Sequence, residues 1–529
     1  MTFVQLNFLV FLLFVFAVLY ICPVKFRWIV LLIASLAFYA IAGLEYLPFI
    51  FLTSFSVWMA GKRMGQIYEA QEQECSDASL SRKEKKELKE KAKAKCRKVL
   101  IALLILNVGV LCICKFTKFA IEPLNAVLGR FTGFSGLSAA WIIVPLGISY
   151  YTFSSLSYLL DVYWRRVEWE KNYFRFLLYV SYFPHILQGP IARYGRLGER
   201  LKAELRFDYQ RVTFGIQLIV WGFFKKLVIA DRLYMFVSGV YADPTKVNAE
   251  ILIITALLDV VYLYSDWSGC MDIARGASQI FGVELDLNFD HPFSSRSLGE
   301  FWRKWHMSMG SWFKDYVYFP ISTSGTVKKI SRSCKGKMPD QLTRVLVTML
   351  PVSVTWILTG VWHGTGMTYL CWGIYYAVAM LLSICFGDDL HKLAQKAGVN
   401  TENESWHLLQ TVRTTLIFTG GRLLTGPGEL WKTKAVVTGM LTRFEPWKLF
   451  DGTLYTYGLD VRNFWLGIIC VILLGVIGSL QIRGSVREWI AKQGIVFRWM
   501  IYVAGVMSVV IFGIYGVGFN SAAFVYMGF

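Results

Sequence analysis

The sequence predicts an all-α polytopic membrane protein. The chain's 529 residues are 55% hydrophobic and only 17% charged, where a soluble domain carries about 25% charged residues. Its mean hydropathy is +0.46. Apolar runs of near-spanning length recur along almost the whole chain, and a helix needs roughly 20 apolar residues to cross a bilayer.

In chain order the apolar runs fall at about 4–22, 27–43, 46–60, 99–117, 139–163, 174–190, 212–230, 250–265, 343–361, 367–385, 409–425, 463–480 and 498–518. Several are short. The expectation is therefore roughly eleven transmembrane helices, with re-entrant and interfacial helices making up the rest. The first run, "NFLVFLLFVFAVLYI", has no positive residues before it and no small-residue cleavage site after it. It reads as a retained helix rather than a signal peptide. One membrane domain over 1–529 is expected, with 62–98 as a basic cytosolic loop.

Charge supplies orientation. Lys and Arg number 55 against 36 Asp and Glu, a formal net charge of +19. The stretch "SRKEKKELKEKAKAKCRK" at 81–98 alone holds ten Lys/Arg and three Glu. Further basic loops are expected at 326–344, around "WRRVEWEK" and around "ARYGRLGERLKAELR". Basic loops beside helix ends stay cytoplasmic. Lys25 and Arg27 follow the first apolar run and the long basic stretch follows the third, which places the N-terminus outside. Such a face also attracts anionic membrane lipid or an acidic soluble partner. Nucleic acid is not expected, because the cations track helix ends and no nucleic-acid motif is present. The ten cysteines form neither a disulfide framework nor a metal-binding spacing, so no metal is expected. No internal repeat is visible, which weakens a transporter reading.

The chemistry-bearing residues gather in the middle of the chain. In "ILTGVWHGTGMTYLCWG", His363 sits between two apolar segments, and an ionisable group at membrane depth is a functional-site hypothesis. Gly360, Gly364 and Gly366 either let the backbone approach a ligand or serve helix–helix packing. In "SLGEFWRKWHMSMGSWFKDYVYFPI", Ser297 and Glu300 have the spacing of a capping box. Phe301, Trp305, Met309, Trp312 and Tyr316 then mark one apolar face of a single helix. That basic, aromatic helix suits the membrane interface. Its His306 fits either a second functional imidazole or an interfacial histidine without chemistry. Asp266 and Asp272 in "SDWSGCMDIARG" lie near one end of an apolar segment, placed to position His306 or an arginine. In "YFPHILQGPIARYGRL", Pro184 and Pro190 break an apolar run, so the segment reads as re-entrant. His185 and Gln188 are its polar groups; a hydrogen-bonded structural role suits His185 better than a ligand role.

These motifs, in this order, resemble the membrane-bound O-acyltransferase family, within its bacterial branch of alginate O-acetylation and teichoic-acid D-alanyl transfer proteins. The likeness spans roughly 140–385 and rests on "YFPHILQGPIARY", "DWSGCMDIARGASQIFGVELDLNFDHPF", "SRSLGEFWRKWHMSMGSWFKDYVYFPI" and "TWILTGVWHGTGMTYLCWG". It implies a ring of tilted helices around a tunnel. It implies a catalytic role for His363 and a secondary site role for His306. Trp305 and Trp362 become candidate tunnel walls, with Asp266, Asp272, Gln188 and His185 supporting. The branch often ends in a tyrosine-bearing motif that relays the acyl group; "NSAAFVYMGF" offers Tyr526 as a loose match. A departure at "FPISTSGTVKK" from the alginate-type pattern puts the substrate in question, not the family.

The expected function is O-acylation of an extracellular or cell-wall polysaccharide. A short acyl group, acetyl ahead of D-alanyl, comes from a cytosolic thioester on coenzyme A or a phosphopantetheine carrier. No permanently bound cofactor is expected. The resemblance implies an SGNH-type extracytoplasmic partner, a polysaccharide or teichoic acid acceptor, and the bacterial plasma membrane. Imidazole suits the chemistry, because acyl transfer to a hydroxyl needs a base whose pKa lies near neutrality. Two other classes stay open on the residues alone: an envelope lipid or polymer transporter, and a non-catalytic scaffold.

Overall fold

The computed structural model describes residues 5–77, 79–132, 136, 143–186 and 189–515. Among these every regular element is a helix, and the one β contact is an isolated antiparallel bridge between Phe289 and Trp305. Among the described residues eight helices are long and apolar enough to cross a membrane, and Leu6–Ile21 is a shorter apolar one. That supports a multi-pass protein but not the expected count of eleven. The difference lies in runs such as 250–265, which is part of the long, acid-bearing helix Ala249–Ile280. Another is 174–190, which breaks after Ser181.

The chain packs as two compact units. The first comprises Met1–Ile216 and Ala274–Asp286. Its centre is aromatic: Tyr39, Tyr151, Tyr158, Tyr179, Tyr182, Phe38, Phe176 and Phe183 are all fully buried. Buried tyrosines need partners for their hydroxyls. The hydroxyl of Tyr182 lies 2.9 Å from Ser278 Oγ, and that of Tyr20 donates to the Ile280 carbonyl at 2.7 Å, which ties 274–286 to this unit. The basic region 62–98 proves helical rather than a loop. Helices Leu47–Ser76 and Arg82–Thr132 run through it, joined by a short turn. The reason is visible in the spacing: Ala92, Cys96 and Leu100 are buried at four-residue intervals, while the cations between them face out. The expected basic loop at 326–344 is likewise largely helical, in Gly325–Cys334 and the start of Asp340–His363.

The second unit comprises Gln217–Ile273 and Leu287–Phe529. Helix Asp340–His363 packs against Met367–Lys396 through glycines. A Cβ on Gly360 would stand 2.4 Å from the Tyr369 carbonyl oxygen, and one on Gly373 2.6 Å from that of Trp356. No side chain fits there, so the backbones meet directly, as small residues allow in membrane helices. Gly222 and Gly269 form a second such crossing: a Cβ on Gly222 would lie 2.6 Å from the Gly269 carbonyl oxygen.

Candidate active site

The expected single helix after Ser297 is two. Leu298–Lys304 and Met307–Phe313 are separated by a corner at Trp305 and His306, and a π-helical stretch, Lys314–Tyr318, follows. The start signal holds in part. Ser297 Oγ accepts from the Glu300 amide at 3.2 Å, while the Glu300 carboxylate reaches one residue further back, accepting from the Arg296 amide at 2.9 Å. The apolar face is as expected, yet its residues are buried among other side chains instead of lying at a lipid interface. Phe301 is 0% exposed, Trp305 3% and Tyr316 8%. Trp305 stacks on Phe301, with ring centroids 5.5 Å apart, inside an aromatic core that includes Trp267, Trp372 and Phe418.

The corner turns His306 inward. Its φ of 46° is left-handed, a conformation uncommon outside glycine. Two backbone bonds hold it there: the Asp290 amide donates to the Lys304 carbonyl and the Met307 amide to the Asn288 carbonyl, each at 3.0 Å. The ring is completely buried, with the Trp267 indole 4.2 Å away in edge-on contact. His306 lies outside the spanning segments. Burial, and then repulsion from His363 whenever that ring is protonated, push its pKa well below the ordinary histidine value, so the ring is neutral.

His363 is the last residue of its helix and is also buried. Trp362 stands beside both imidazoles, its ring 4.9 Å from that of His363 and 6.2 Å from that of His306. The His363 ring also meets that of Trp372, with centroids 5.0 Å apart. Gly364 cannot carry a side chain, because a Cβ would lie 2.3 Å from the Tyr369 ring. So Gly360 and Gly364 serve helix packing, and that packing sets where His363 emerges.

The remaining candidates divide. Asp266 accepts from Lys226 at 2.5 Å, in place of the expected partnership with His306 or an arginine. Asp272 accepts from Lys225 at 2.6 Å. The two lysines are consecutive and both buried, because the helix is π-wound over Phe224–Ala230 and turns both inward. Asp231 also pairs with Lys226, at 2.7 Å. These are structural ion pairs of the unit that holds both site histidines. His185 belongs to the other unit. It is fully buried on the one-turn helix Phe183–Ile186, and its Nε2 lies 3.0 Å from the Tyr179 carbonyl, a structural role. The break read from the prolines is present there. Gln188 and Tyr526 lie outside the described residues. Sequence reasoning missed Asn288, Trp372 and the lysine pair. Only the lysines left a signal, as adjacent charges inside an apolar run.

Among the described residues no cluster of three or more His, Cys, Asp or Glu is arranged to hold a metal ion. What the site offers is two buried imidazoles beside one indole, groups able to act as a base and a hydrogen-bond donor in a low-dielectric setting.

Comparison with known proteins gives this arrangement a context. Residues 169–334 match the model of the membrane-bound O-acyltransferase family. The chain is 30% identical over 360 residues to a probable alginate O-acetylase of Azotobacter vinelandii, covering 68% of this chain and 63% of the relative. It is 26% identical to a peptidoglycan O-acetyltransferase of Helicobacter pylori, covering 53% and 54%. It is 31% identical to a teichoic acid D-alanyltransferase of Bacillus subtilis, covering 45% and 58%. The match thus spans less than two thirds of the length of these relatives.

Proposed function

Because the chain carries a domain of the membrane-bound O-acyltransferase family, we propose that it is a membrane O-acyltransferase. It moves a short acyl group, acetyl first, from a cytosolic thioester to a hydroxyl of an envelope polysaccharide. The observation that carries this reading is the pair of buried imidazoles, His306 and His363, each beside Trp362. His363 takes the proton from the attacking hydroxyl as its oxygen bonds to the thioester carbon. The carbon–sulfur bond then breaks, and the departing sulfur receives that proton. General-base assistance of this kind contributes roughly 10²–10⁴-fold. A neutral, desolvated ring is the form a base needs.

Acetyl is favoured by the relatives named alginate O-acetylase and peptidoglycan O-acetyltransferase. D-alanyl transfer to teichoic acid is the second reading, favoured by the relative of that name. The donor is coenzyme A or a phosphopantetheine carrier, and an SGNH-type extracytoplasmic protein completes delivery. The basic 62–98 segment faces the cytosol and the N-terminus faces out.

The test is polymer-linked ester in envelope extracts of cells carrying wild type or His363→Ala at matched protein levels. Mild base releases the acyl group and mass spectrometry identifies it. Loss of ester is expected, and the released acid names the donor group. Unchanged ester would move the assignment to transport or scaffolding.

A further inference from the structure

The hydrogen bonds around Asn288 determine which nitrogen of His306 carries its proton. Asn288 is 1% exposed. Its Oδ1 accepts from the Ser308 backbone amide at 3.0 Å and from Ser308 Oγ at 2.9 Å. A backbone N–H is always a donor, so it identifies this atom as the oxygen, and the two bonds fill both its lone pairs. The amide nitrogen has two protons to give. One goes to Met271 Sδ at 3.3 Å, and the other meets His306 Nδ1 at 3.1 Å. Oδ1 also lies 3.2 Å from that Nδ1. A proton on Nδ1 would make a third donor to a filled oxygen and would face an N–H of the amide. The accounting closes only if Nδ1 accepts. The proton then sits on Nε2, which is buried and has no hydrogen-bond partner among the described residues.

We infer that Asn288 is a positioning residue. It holds His306 as the neutral tautomer protonated on Nε2, so that His306 donates a hydrogen bond to the oxygen that gains charge during acyl transfer. This rests on the acyl-transfer reading above and divides the labour of the two histidines. The acceptor oxygen bonds to the thioester carbon, and the carbonyl π pair moves onto the carbonyl oxygen. Nε2–H of His306 stabilises that oxyanion while His363 holds the abstracted proton. When the carbonyl re-forms, the carbon–sulfur bond breaks, the pair leaves on sulfur, and His363 returns the proton to it. A buried donor whose proton is already fixed on Nε2 costs little reorganisation at the moment of reaction. The backbone of Asn288 contributes as well, through the bond that its carbonyl accepts from Met307.

The experiment uses the full-length protein in membranes and has two readouts. The first is ester formation per protein for His306→Gln, His306→Ala, Asn288→Asp and His363→Ala. Glutamine offers an N–H near the Nε2 position and no base. His306→Gln should therefore retain activity to within about tenfold of wild type, while His306→Ala falls by roughly 10²–10³-fold, the usual cost of one oxyanion donor. Asn288→Asp removes the donor to Nδ1, draws the proton there, and should lose activity on the order of 10²-fold. The second readout is solid-state nitrogen NMR of histidine-labelled protein, with the His306 signals assigned by their loss in His306→Gln. Wild type should show Nε2–H and bare Nδ1, and Asn288→Asp should show a protonated Nδ1. An Nδ1-protonated wild type, or His306→Gln as inactive as His306→Ala, would overturn the proposal while ester loss in His363→Ala left the acyl-transfer reading standing. Ester persisting in His363→Ala would overturn that reading and the donor role with it.

Discussion

Lys226 holds a buried charge cluster whose balance can be upset in two ways. Its side chain is 2% exposed and bonds Asp266 at 2.5 Å and Asp231 at 2.7 Å, each of these 3% exposed. One cation thus faces two carboxylates. Lys226→Met leaves both acids buried without their partner, and breaking a buried pair in this way costs about 3–5 kcal/mol. Asp266→Asn leaves a one-to-one pair between Lys226 and Asp231, and the new amide oxygen still accepts from the lysine, so the loss should be under about 2 kcal/mol. At about 2–4 °C per kcal/mol, Lys226→Met should lower the unfolding midpoint by roughly 6–20 °C, with Asp266→Asn well short of that. The double variant, with one uncompensated acid, should fall between. Detergent-solubilised protein heated in steps and followed by size-exclusion chromatography measures the order. A loss for Asp266→Asn equal to that for Lys226→Met would refute the charge-balance argument, because it would make the acid, not the lysine, the indispensable member.

Three further outcomes are expected. Gly360→Ala pushes a methyl against the Tyr369 carbonyl oxygen. It should cost about 1–3 kcal/mol and reduce ester formation more than its thermal shift implies, because His363 lies one turn on; full activity in a protein of lowered midpoint would count against that coupling. Glu170 is buried in the first unit. Burial raises its pKa, but bonds from the Tyr194 hydroxyl, the Asn172 amide and Lys202 outweigh it and hold the group below its ordinary value. A depressed folded-state pKa stabilises above the unfolded value and is lost as pH falls through the folded one. Midpoints of wild type and Glu170→Gln should therefore converge on acidification below the ordinary glutamate range, and parallel pH curves would contradict this. Finally, a fluorescent-protein fusion inserted in the turn at 77–81 should be bright and a periplasmic phosphatase fusion there inactive; the reverse pattern would invert the proposed orientation.

Much of this protein was legible along the chain. Hydropathy and charge are local quantities, so composition marked a helical membrane protein, and the "WHG" motif placed His363 at the edge of an apolar run, where Asp340–His363 indeed ends. The capping signal at Ser297, the proline break near His185 and the apolar aromatic face of 301–316 were readable for the same reason, though not that the face is buried. The rest depended on partners distant in sequence. Periodicity continued one helix through His306, but backbone pairing with 288–290 turns it there into a left-handed corner. Carboxylate chemistry offered Asp266 to a histidine, but a π-wound segment 40 residues away delivers Lys226 to it instead. Glycine spacing left ligand approach and helix packing equal until the facing carbonyls of Tyr369 and Trp356 chose packing. Asn288 left no mark at all, since a lone amide acquires its role only from the ring nitrogen, the serine and the thioether that the fold brings around it. The sequence by itself therefore determined the class, most of the apolar helices and the motif that carries His363. Only the tertiary structure decided which polar groups are paired, because a buried donor or acceptor is satisfied by whatever neighbour the packing supplies.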